Sequence, residues 1–167
     1  MGRDKAQLRL GGATILGRIK QTAAQLRLPV RVVRKDLVPR CGPLGGIFTA
    51  LKRTEADAVL FLSCDMPFIT TALLIELIRE FELRHTAVFV SAAGQVGFPF
   101  LLPAPTLLAI EELLDQKSYA LQTLARRIRA RKWKARHRRH ELMNINTPDD
   151  LARARNRGDG PSAIGDS

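Results

Sequence analysis

The positions of the apolar residues predict a chain in which helices alternate with strands. Spacings of three and four residues predict helices over residues 13–26, 44–53, 70–83, 105–115 and 119–131. Alternating or continuous apolar runs predict strands over residues 30–33, 58–64, 86–92, 98–102 and 142–145. The run from Ala58 to Cys64 is almost continuously apolar, which is typical of a strand buried on both faces of a parallel sheet. This alternation predicts a three-layer α/β fold, with a mostly parallel sheet flanked by helices.

The last part of the chain changes in character. Thr147-Pro148-Asp149-Asp150 predicts the start of a final helix, with Thr147 as its N-cap and acidic residues in its first turn. The residues that follow are rich in glycine, aspartate and serine, a composition typical of disorder. We therefore expect one domain over residues 1–155 and a disordered tail over residues 156–167.

Composition narrows the class of protein. The chain has 167 residues, 46% of them hydrophobic, and both values fit a single globular domain. Its two cysteines, Cys41 and Cys64, form no CxxC pair, which argues against a disulfide framework and against a zinc site. No apolar run approaches the roughly 20 residues of a membrane-spanning helix. We expect a cytoplasmic protein in a reducing compartment, without membrane association.

The chain carries a formal net charge of +11, which favours anionic ligands such as nucleotides, phosphorylated small molecules or nucleic acid. Nine lysines and arginines lie between Arg126 and Arg139. This stretch either forms a solvated basic surface or binds phosphate or RNA. Trp133 is its one aromatic residue, so it lacks the stacking surface typical of proteins that bind single-stranded nucleic acid, which argues against such a partner.

Asp65 directly follows the apolar run 58–64, at the edge of the sheet where open α/β sheets bind ligands. A carboxylate there could hold Mg²⁺, which takes one or two carboxylates together with phosphate oxygens of a substrate. The alternative is a structural turn over Asp65-Met66-Pro67, in which the carboxylate accepts hydrogen bonds from nearby amides.

Two further elements could bind phosphate. Gly42-Pro43-Leu44-Gly45-Gly46 opens a predicted helix, and the N-terminus of a helix favours anions; the alternative is an ordinary strand-to-helix connection. Lys5 could neutralise a polyphosphate, although a lysine near a terminus is most often only solvated.

Asn144 and Asn146 lie on alternate positions of a segment predicted to be extended, so both side chains should project to one side. They could hydrogen-bond a polar ligand such as a pterin or a phosphate. The alternative is ordinary turn chemistry at the end of a strand.

Five sequence elements occur in a fixed order along the chain. They are Met-Gly-Arg-Asp-Lys-Ala at 1–6, Leu-Gly-Gly at 10–12, Asp36-x-x-Pro39-x-x-Gly42-Pro43-Leu44-x-Gly46-Ile47, Cys64-Asp65-Met66-Pro67-Phe68 and Asn144-Ile145-Asn146-Thr147-Pro148-Asp149-Asp150-Leu151. Together they resemble the molybdenum cofactor guanylyltransferase family, from the first residue to about Ala154. The Gly-Pro-Leu and Asn-x-Asn-Thr-Pro elements distinguish this family from other sugar-nucleotide transferases that share its fold.

The resemblance implies a nucleotide-diphospho-sugar transferase fold, which is Rossmann-like, and an enzyme of the nucleotidyltransferase class. Such an enzyme transfers GMP from GTP to molybdopterin that carries molybdenum, and pyrophosphate is the second product. The resemblance also implies Mg²⁺ as the cofactor, GTP and molybdopterin as partners, and molybdoenzyme maturation proteins as further candidate partners.

The resemblance assigns roles position by position. Lys5 matches a lysine that contacts the nucleotide phosphates, and Asp65 matches the Mg²⁺-binding acid; both are catalytic candidates. Asp36 and Gly42 belong to the nucleotide-binding side, which Lys5 and Asp65 share. Asn144 and Asn146 match the pair expected near the pterin substrate.

Two features depart from the family pattern. Family members begin with a strand and a Leu-Ala-Gly-Gly-x-Ser-x-Arg loop before the Met-Gly-x-Asp-Lys element, whereas this chain begins at that methionine. We therefore expect the first strand and its phosphate-binding loop to be missing, through a misassigned start (the explanation we favour), a decayed gene, or a segment supplied elsewhere. Gly97 stands where the family has a basic or polar residue, so one expected substrate contact has no side chain here.

Three alternatives to the guanylyltransferase remain at this point. The first is a nucleotidyltransferase of the same fold that uses CTP. The second is a catalytically impaired remnant or accessory protein of that fold. The third is a basic module that binds nucleic acid through residues 126–139.

Overall fold

The computed structural model describes residues 8–10, 12–135, 137–147 and 149–153. In chain order the elements are β1 (Arg9–Leu10), β2 (Ala13–Thr14), α1 (Ile15–Ala24), α2 (Gly42–Lys52), β3 (Ala58–Phe61), α3 (Thr71–Glu82), β4 (Val88–Ala92), β5 (Gln95–Pro103), α4 (Thr106–Asp115), α5 (Leu121–Arg127) and β6 (Arg131–Trp133). Residues 149–153 are also helical.

Side-chain caps and apolar spacing together define the first and third helices. The side chain of Thr14 accepts a hydrogen bond from the Gly17 amide at the start of α1, and Thr70 does the same for Leu73 at the start of α3. Each hydroxyl thereby satisfies an amide that has no carbonyl partner within its helix. Apolar residues spaced three or four apart then bury one face of each helix, so both form where the pattern predicts them.

The main sheet has the strand order β3-β5-β4-β6, and β1 and β2 form a separate two-stranded ribbon. β5 pairs antiparallel with both β3 and β4, while β4 and β6 are parallel. Strands β3, β4 and β6 therefore share one direction, as a mostly parallel sheet requires. Because the reversed β5 lies between β3 and β4, the described sheet is mixed, with helices on its faces, and the α/β class is confirmed.

β4 separates two hydrophobic layers and shows the period of two that a buried strand requires. Phe89 points into the layer beneath α2, α4 and α5, where it stacks on Phe100. Val88 and Val90 point into the opposite layer, which contains the buried faces of α1 and α3. The two helical layers on either side of the sheet give the predicted three-layer architecture.

The predicted strand over residues 30–33 does not form, although the segment is apolar. Val30, Val32 and Val33 are 39–43% exposed, and no strand pairs with them among the described residues. A strand persists only when a neighbour satisfies its amides and carbonyls, and apolar spacing in the sequence does not report whether one is present. β3 likewise has β5 as its one described neighbour, so its first residues are only half-buried, contrary to the prediction of burial on both faces.

The helix predicted over residues 119–131 ends early. Arg129 adopts a left-handed conformation with φ of 50°, and the Ala130 amide bonds back to the Ala125 carbonyl at 2.8 Å. This arrangement closes the end of a helix, usually with glycine at the left-handed position. Because an arginine occupies that position here, the sequence carries no stop signal, and the predicted helix runs on to the start of the edge strand β6.

Within the described part of the chain, no helix combines the length and the apolar character needed to span a bilayer.

Phe100 is fully buried and lies 4.5–5.1 Å, centroid to centroid, from the rings of Phe61, Phe89 and Phe98. Phe100→Ala should lower the free energy of unfolding by about 3–5 kcal/mol, because it removes buried apolar surface and leaves a cavity. Leu108→Ala, at a side chain that is 67% exposed, should change it by less than about 0.5 kcal/mol. Urea denaturation monitored by circular dichroism measures both, and equal effects would contradict this account of the core.

Candidate functional site

The segment that follows β3 carries Asp65 and is fixed by a distant part of the chain. The amide of Ile145 donates a hydrogen bond of 2.8 Å to the backbone carbonyl of Asp65. β3, β4 and β6 share one direction, so the bond lies beyond their carboxyl ends, where α/β sheets bind ligands. The bond brings Asn144 and Asn146, which flank Ile145, to Asp65.

The carboxylate of Asp65 has a buried oxygen that the described part of the protein does not satisfy. Its Oδ1 atom is buried, and among the described residues no hydrogen-bond donor reaches it. A buried carboxylate oxygen without a partner is rare and costly, because it has lost water and gained nothing in return. The alternative prediction, a carboxylate that only caps nearby amides, does not account for this oxygen. A bound cation would.

The Asn144–Asn146 segment is ordered by the residue between the two asparagines. Ile145 is fully buried, whereas Asn144 and Asn146 are both exposed. This alternation agrees with the prediction that both asparagine side chains project away from the core, on one side. The predicted strand over residues 142–145 does not form. The segment makes one backbone hydrogen bond to Asp65, and it does not form the series of hydrogen bonds to a neighbouring strand that a sheet requires.

The predicted cap of the last helix is confirmed, and it also fixes the backbone of Asn146. The Asp150 amide donates to the Thr147 hydroxyl at 3.1 Å, while Asp150 Oδ2 accepts from the amides of Asn146 and Thr147 at 3.1 and 2.9 Å. This reciprocal pattern is a capping box with aspartate in the usual place of glutamate. Hydrogen bonding with the Thr147 side chain, and then with the two amides, lowers the pKa of Asp150.

The start of α2 forms the second part of the candidate site. Gly42 is exposed and has a φ of 53°, a conformation that strains any residue with a side chain. Asp36 is half-buried and packs its carboxylate against the backbone of α2 near Gly45 and Gly46. An acid near a helix N-terminus is stabilised by the helix dipole, so Asp36 has a structural role here besides its predicted one.

Hydrogen bonds hold the Asp36 segment onto α2. The Leu37 amide donates to the Thr49 hydroxyl at 2.8 Å, and that hydroxyl donates to the Gly45 carbonyl at 2.7 Å. Because α2 connects through a short loop to the start of β3, we infer that its N-terminus lies towards the edge where β3 ends. Asp36 and Gly42 then share a side of the molecule with Asp65. Lys5 lies outside the described residues.

An ionic cluster around the buried Glu141 was not predicted. Glu141 is only 3% exposed, accepts a hydrogen bond from the Thr70 hydroxyl, and pairs with Arg138 at 2.9 Å. Arg138 also contacts Glu76 at 2.6 Å, and these hydrogen bonds, with Glu141 first and Glu76 second, raise the pKa of the guanidinium. The sequence contained one indication of this ion pairing. Glu141 is the only acidic residue between Asp115 and Asp149, and it directly follows a stretch rich in arginine and lysine.

The basic stretch is divided between ion-paired and solvated side chains. Arg127 pairs with Glu112, Arg131 with Glu80 at 2.8 Å, and Arg138 with the cluster just described. Its other described cations are exposed: Arg126, Arg129, Lys132, Lys134 and Arg139. The stretch is therefore structural in part and a basic surface in part.

Among the described residues, no group of three or more His, Cys, Asp or Glu side chains could hold a metal ion. A cation at Asp65 would therefore need further ligands from a substrate or from water. This donor set fits Mg²⁺, which commonly binds one or two carboxylates together with the phosphates of a nucleotide, and it does not fit a structural zinc site.

Residues 1–137 match the family model described as the MobA-like NTP transferase domain. The chain belongs to this family. A probable molybdenum cofactor guanylyltransferase from Opitutus terrae is 30% identical over 178 aligned positions, covering 93% of this chain and 88% of the relative. A second protein of that description, from Flavobacterium johnsoniae, is 33% identical over 118 positions, covering 70% of this chain. The chain spans only 62% of the length of that relative. The resemblance predicted from the motifs is confirmed.

The fold of the family is also evident in a solved structure. Molybdopterin-guanine dinucleotide biosynthesis protein A from Archaeoglobus fulgidus superimposes with a TM-score of 0.72, covering 93% of this chain and 91% of that protein. At 20% sequence identity this likeness shows the fold alone. It confirms the nucleotidyltransferase fold predicted from the motifs.

Gly45 and Gly46 give a matched test of how Asp36 is held. A Cβ at Gly45 would lie 2.7 Å from the Val38 carbonyl and 2.9 Å from Asp36 Oδ2, whereas at Gly46 the nearest atom is at an ordinary 3.5 Å. Gly45→Ala should cost about 1–3 kcal/mol of stability through overpacking. Gly46→Ala should add about 0.5–1 kcal/mol through its higher helix propensity. Denaturation curves check both signs, and a stabilising Gly45→Ala would contradict the close contact.

Acid should release the cap at Asp150. The folded pKa of Asp150 is lower than the unfolded one, so its stabilisation is complete above the unfolded pKa and disappears as the pH falls through the folded pKa. The amide chemical shifts of Asn146 and Thr147 should therefore titrate below about pH 4 in NMR spectra. Asp150→Asn should remove this titration, and Asp149→Asn, at an exposed neighbour, should preserve it. A titration that survives Asp150→Asn would assign it to another group.

Proposed function

We propose that this protein transfers GMP from GTP to molybdopterin that carries molybdenum, forming the guanine dinucleotide cofactor and releasing pyrophosphate. Membership of the MobA-like NTP transferase family supports a nucleotidyltransferase, and the names of the two relatives support the guanylyl reaction. The observation that carries the proposal is the buried, unsatisfied Oδ1 of Asp65 beside the Asn144–Asn146 segment. It combines a cation-binding oxygen with polar side chains at the ligand-binding edge of the sheet.

In the proposed reaction, a terminal phosphate oxygen of the pterin attacks the α-phosphorus of GTP. A new phosphoanhydride bond forms, the bond between the α- and β-phosphates breaks, and pyrophosphate leaves with the bonding electron pair. The protein provides no covalent intermediate, so its contribution is to position two polyanions and to stabilise their charge. The basic surface of the chain suits both substrates.

Asp65 would hold Mg²⁺ through Oδ1. When bound, the ion supplies positive charge to the transferring and leaving oxygens of the triphosphate. Lys5 would add a second positive charge on the nucleotide side. Gly42, at the exposed start of α2, would bring backbone amides to the phosphates, and Asp36 would hold that loop in place.

Asn144 and Asn146 would bind the pterin substrate. Amide side chains both donate and accept hydrogen bonds, as the edges of a pterin ring require. The buried Ile145 between them and the cap at Asp150 fix their backbone, so the pair is pre-organised to bind.

Asp65→Asn should reduce Mg²⁺-dependent pyrophosphate release by about 100-fold or more, since an amide oxygen carries no charge with which to hold the cation. The assay combines purified protein, GTP and molybdopterin, with and without Mg²⁺. Asp57→Asn, at an exposed aspartate just before β3, is the matched control and should retain activity. Near-normal turnover of Asp65→Asn would refute the metal-binding role.

The same assay distinguishes the nucleotide. Replacing GTP by CTP should abolish product formation if the guanylyl assignment is correct. Faster turnover with CTP would support the nucleotidyltransferase activity and overturn the proposed specificity for guanine.

A further inference from the structure

Two segments of the site run past each other and are joined at both ends. At one end the Ile145 amide donates to the Asp65 carbonyl at 2.8 Å. At the other end the Thr70 hydroxyl donates to Glu141 Oε2. The loop from Asp65 to Thr70 and the segment from Glu141 to Ile145 are therefore connected by one backbone hydrogen bond and one side-chain hydrogen bond. A relative shift of the two segments would strain both bonds.

Glu141 is the acceptor in the hydrogen bond from Thr70 and the centre of a small ionic cluster. Its carboxylate is buried, and both of its oxygens are occupied, Oε2 by the Thr70 hydroxyl and Oε1 by Arg138 at 2.9 Å. Burial of a charge costs free energy unless it is paired and hydrogen-bonded, and Glu141 meets both conditions. Arg138 extends the connection to Glu76 on α3 at 2.6 Å, so the cluster is anchored to a helix of the core.

Thr70 places this connection at a point that is already rigid. Its hydroxyl accepts from the Leu73 amide at 3.2 Å as the N-cap of α3, while it donates to Glu141. α3 then buries Leu73, Leu74 and Leu77 in the core. The position of Glu141 is thus set by the first turn of α3, the helix that follows the Asp65 loop in the chain.

We propose that Glu141 is a positioning residue for the acceptor substrate, acting through Asn144 and Asn146. Glu141 touches neither substrate in this scheme. It holds the segment that leads into the asparagine pair against the loop that carries Asp65, so that both sides of the site keep their spacing. The inference rests on the proposed function, because it takes the asparagines to bind the acceptor.

Without the Glu141 carboxylate, the segment would be held to the Asp65 loop by the Ile145 amide and by apolar packing around Ile145, with no polar link at its other end. The asparagines would sample a wider range of positions, while Gly42 at the start of α2, and Asp36 in the loop packed on that helix, would be unaffected. Small displacements of positioning groups can reduce rates by about 100-fold. The effect should therefore fall on the acceptor substrate and not on the nucleotide.

The test compares Glu141→Ala and Glu141→Gln in steady-state kinetics of the full chain. Glu141→Ala should raise KM for molybdopterin by about 10-fold or more and leave KM for GTP within about twofold. Glu141→Gln keeps an acceptor for the Thr70 hydroxyl, so it should restore KM for molybdopterin to within a few-fold of the original. Glu112→Ala, which removes an exposed ion-pair partner of Arg127, is the control and should change neither constant.

An unchanged KM for molybdopterin in folded Glu141→Ala overturns the proposal, and so does an equal rise in both constants, which indicates general loosening. If Glu141→Ala does not fold, Thr70→Asp provides the same comparison, because it keeps an N-cap acceptor for the Leu73 amide and removes the hydroxyl that donates to Glu141. A selective rise in KM for molybdopterin is again expected, and its absence overturns the proposal.

Amide hydrogen exchange separates this inference from the proposed function. In Glu141→Ala the Ile145 amide should exchange faster, while the amides of α2 should keep their protection. If the unaltered protein forms no guanine dinucleotide product, the proposed function fails, and faster exchange at Ile145 still supports the structural link. Unchanged exchange at Ile145 overturns the link whatever the activity.

Discussion

The hydrogen bond between the Ile145 amide and the Asp65 carbonyl is the constraint on which the candidate site depends. It joins the loop after β3 to a segment near the C-terminal end of the described chain. Neither Asp65 nor Ile145 belongs to a strand or a helix. Local sequence preferences cannot hold two such loops together, so burial of Ile145 and the Glu141 cluster do so. The backbone contact brings the Asp65 carboxylate, with its unsatisfied Oδ1, and the Asn144–Asn146 segment together.

The proposed nucleotide side of the site is built differently, from local contacts between one helix and the loop before it. Asp36 packs on the first turns of α2, and Leu37 is bonded to Thr49 further along the same helix. Such an arrangement forms from a short stretch of sequence. The proposed acceptor side instead depends on residues far apart in sequence, because its two segments meet only when β3, α3 and residues 141–145 are in place. The two sides should therefore differ in how strongly they depend on global stability.

Much of the fold was predictable because helical spacing and caps are local signals. α1, α3 and α4 form where predicted, and Thr147 caps the last helix as its sequence indicates. The failures concern information that a local pattern lacks. Val30–Val33 has the composition of a strand but no described neighbour, and α5 ends at a left-handed arginine that carries no stop signal. Within the site, motif spacing predicted Asp65 and the asparagines as separate candidates, whereas the bond that joins them and the burial of Glu141 depend on tertiary structure.

Among the described residues β3 has a neighbouring strand on one side only. Together with the exposed valines at positions 30, 32 and 33, this has a consequence for the behaviour of the protein in solution. Edge strands with apolar neighbours tend to pair between molecules, and charge of one sign opposes such pairing. Here a net charge of +11 supplies the repulsion. Added salt shortens the range of that repulsion to about 8 Å at physiological ionic strength, while it leaves the apolar attraction intact. Colloidal stability should therefore be greatest in dilute buffer, the reverse of an assembly held together by ion pairs.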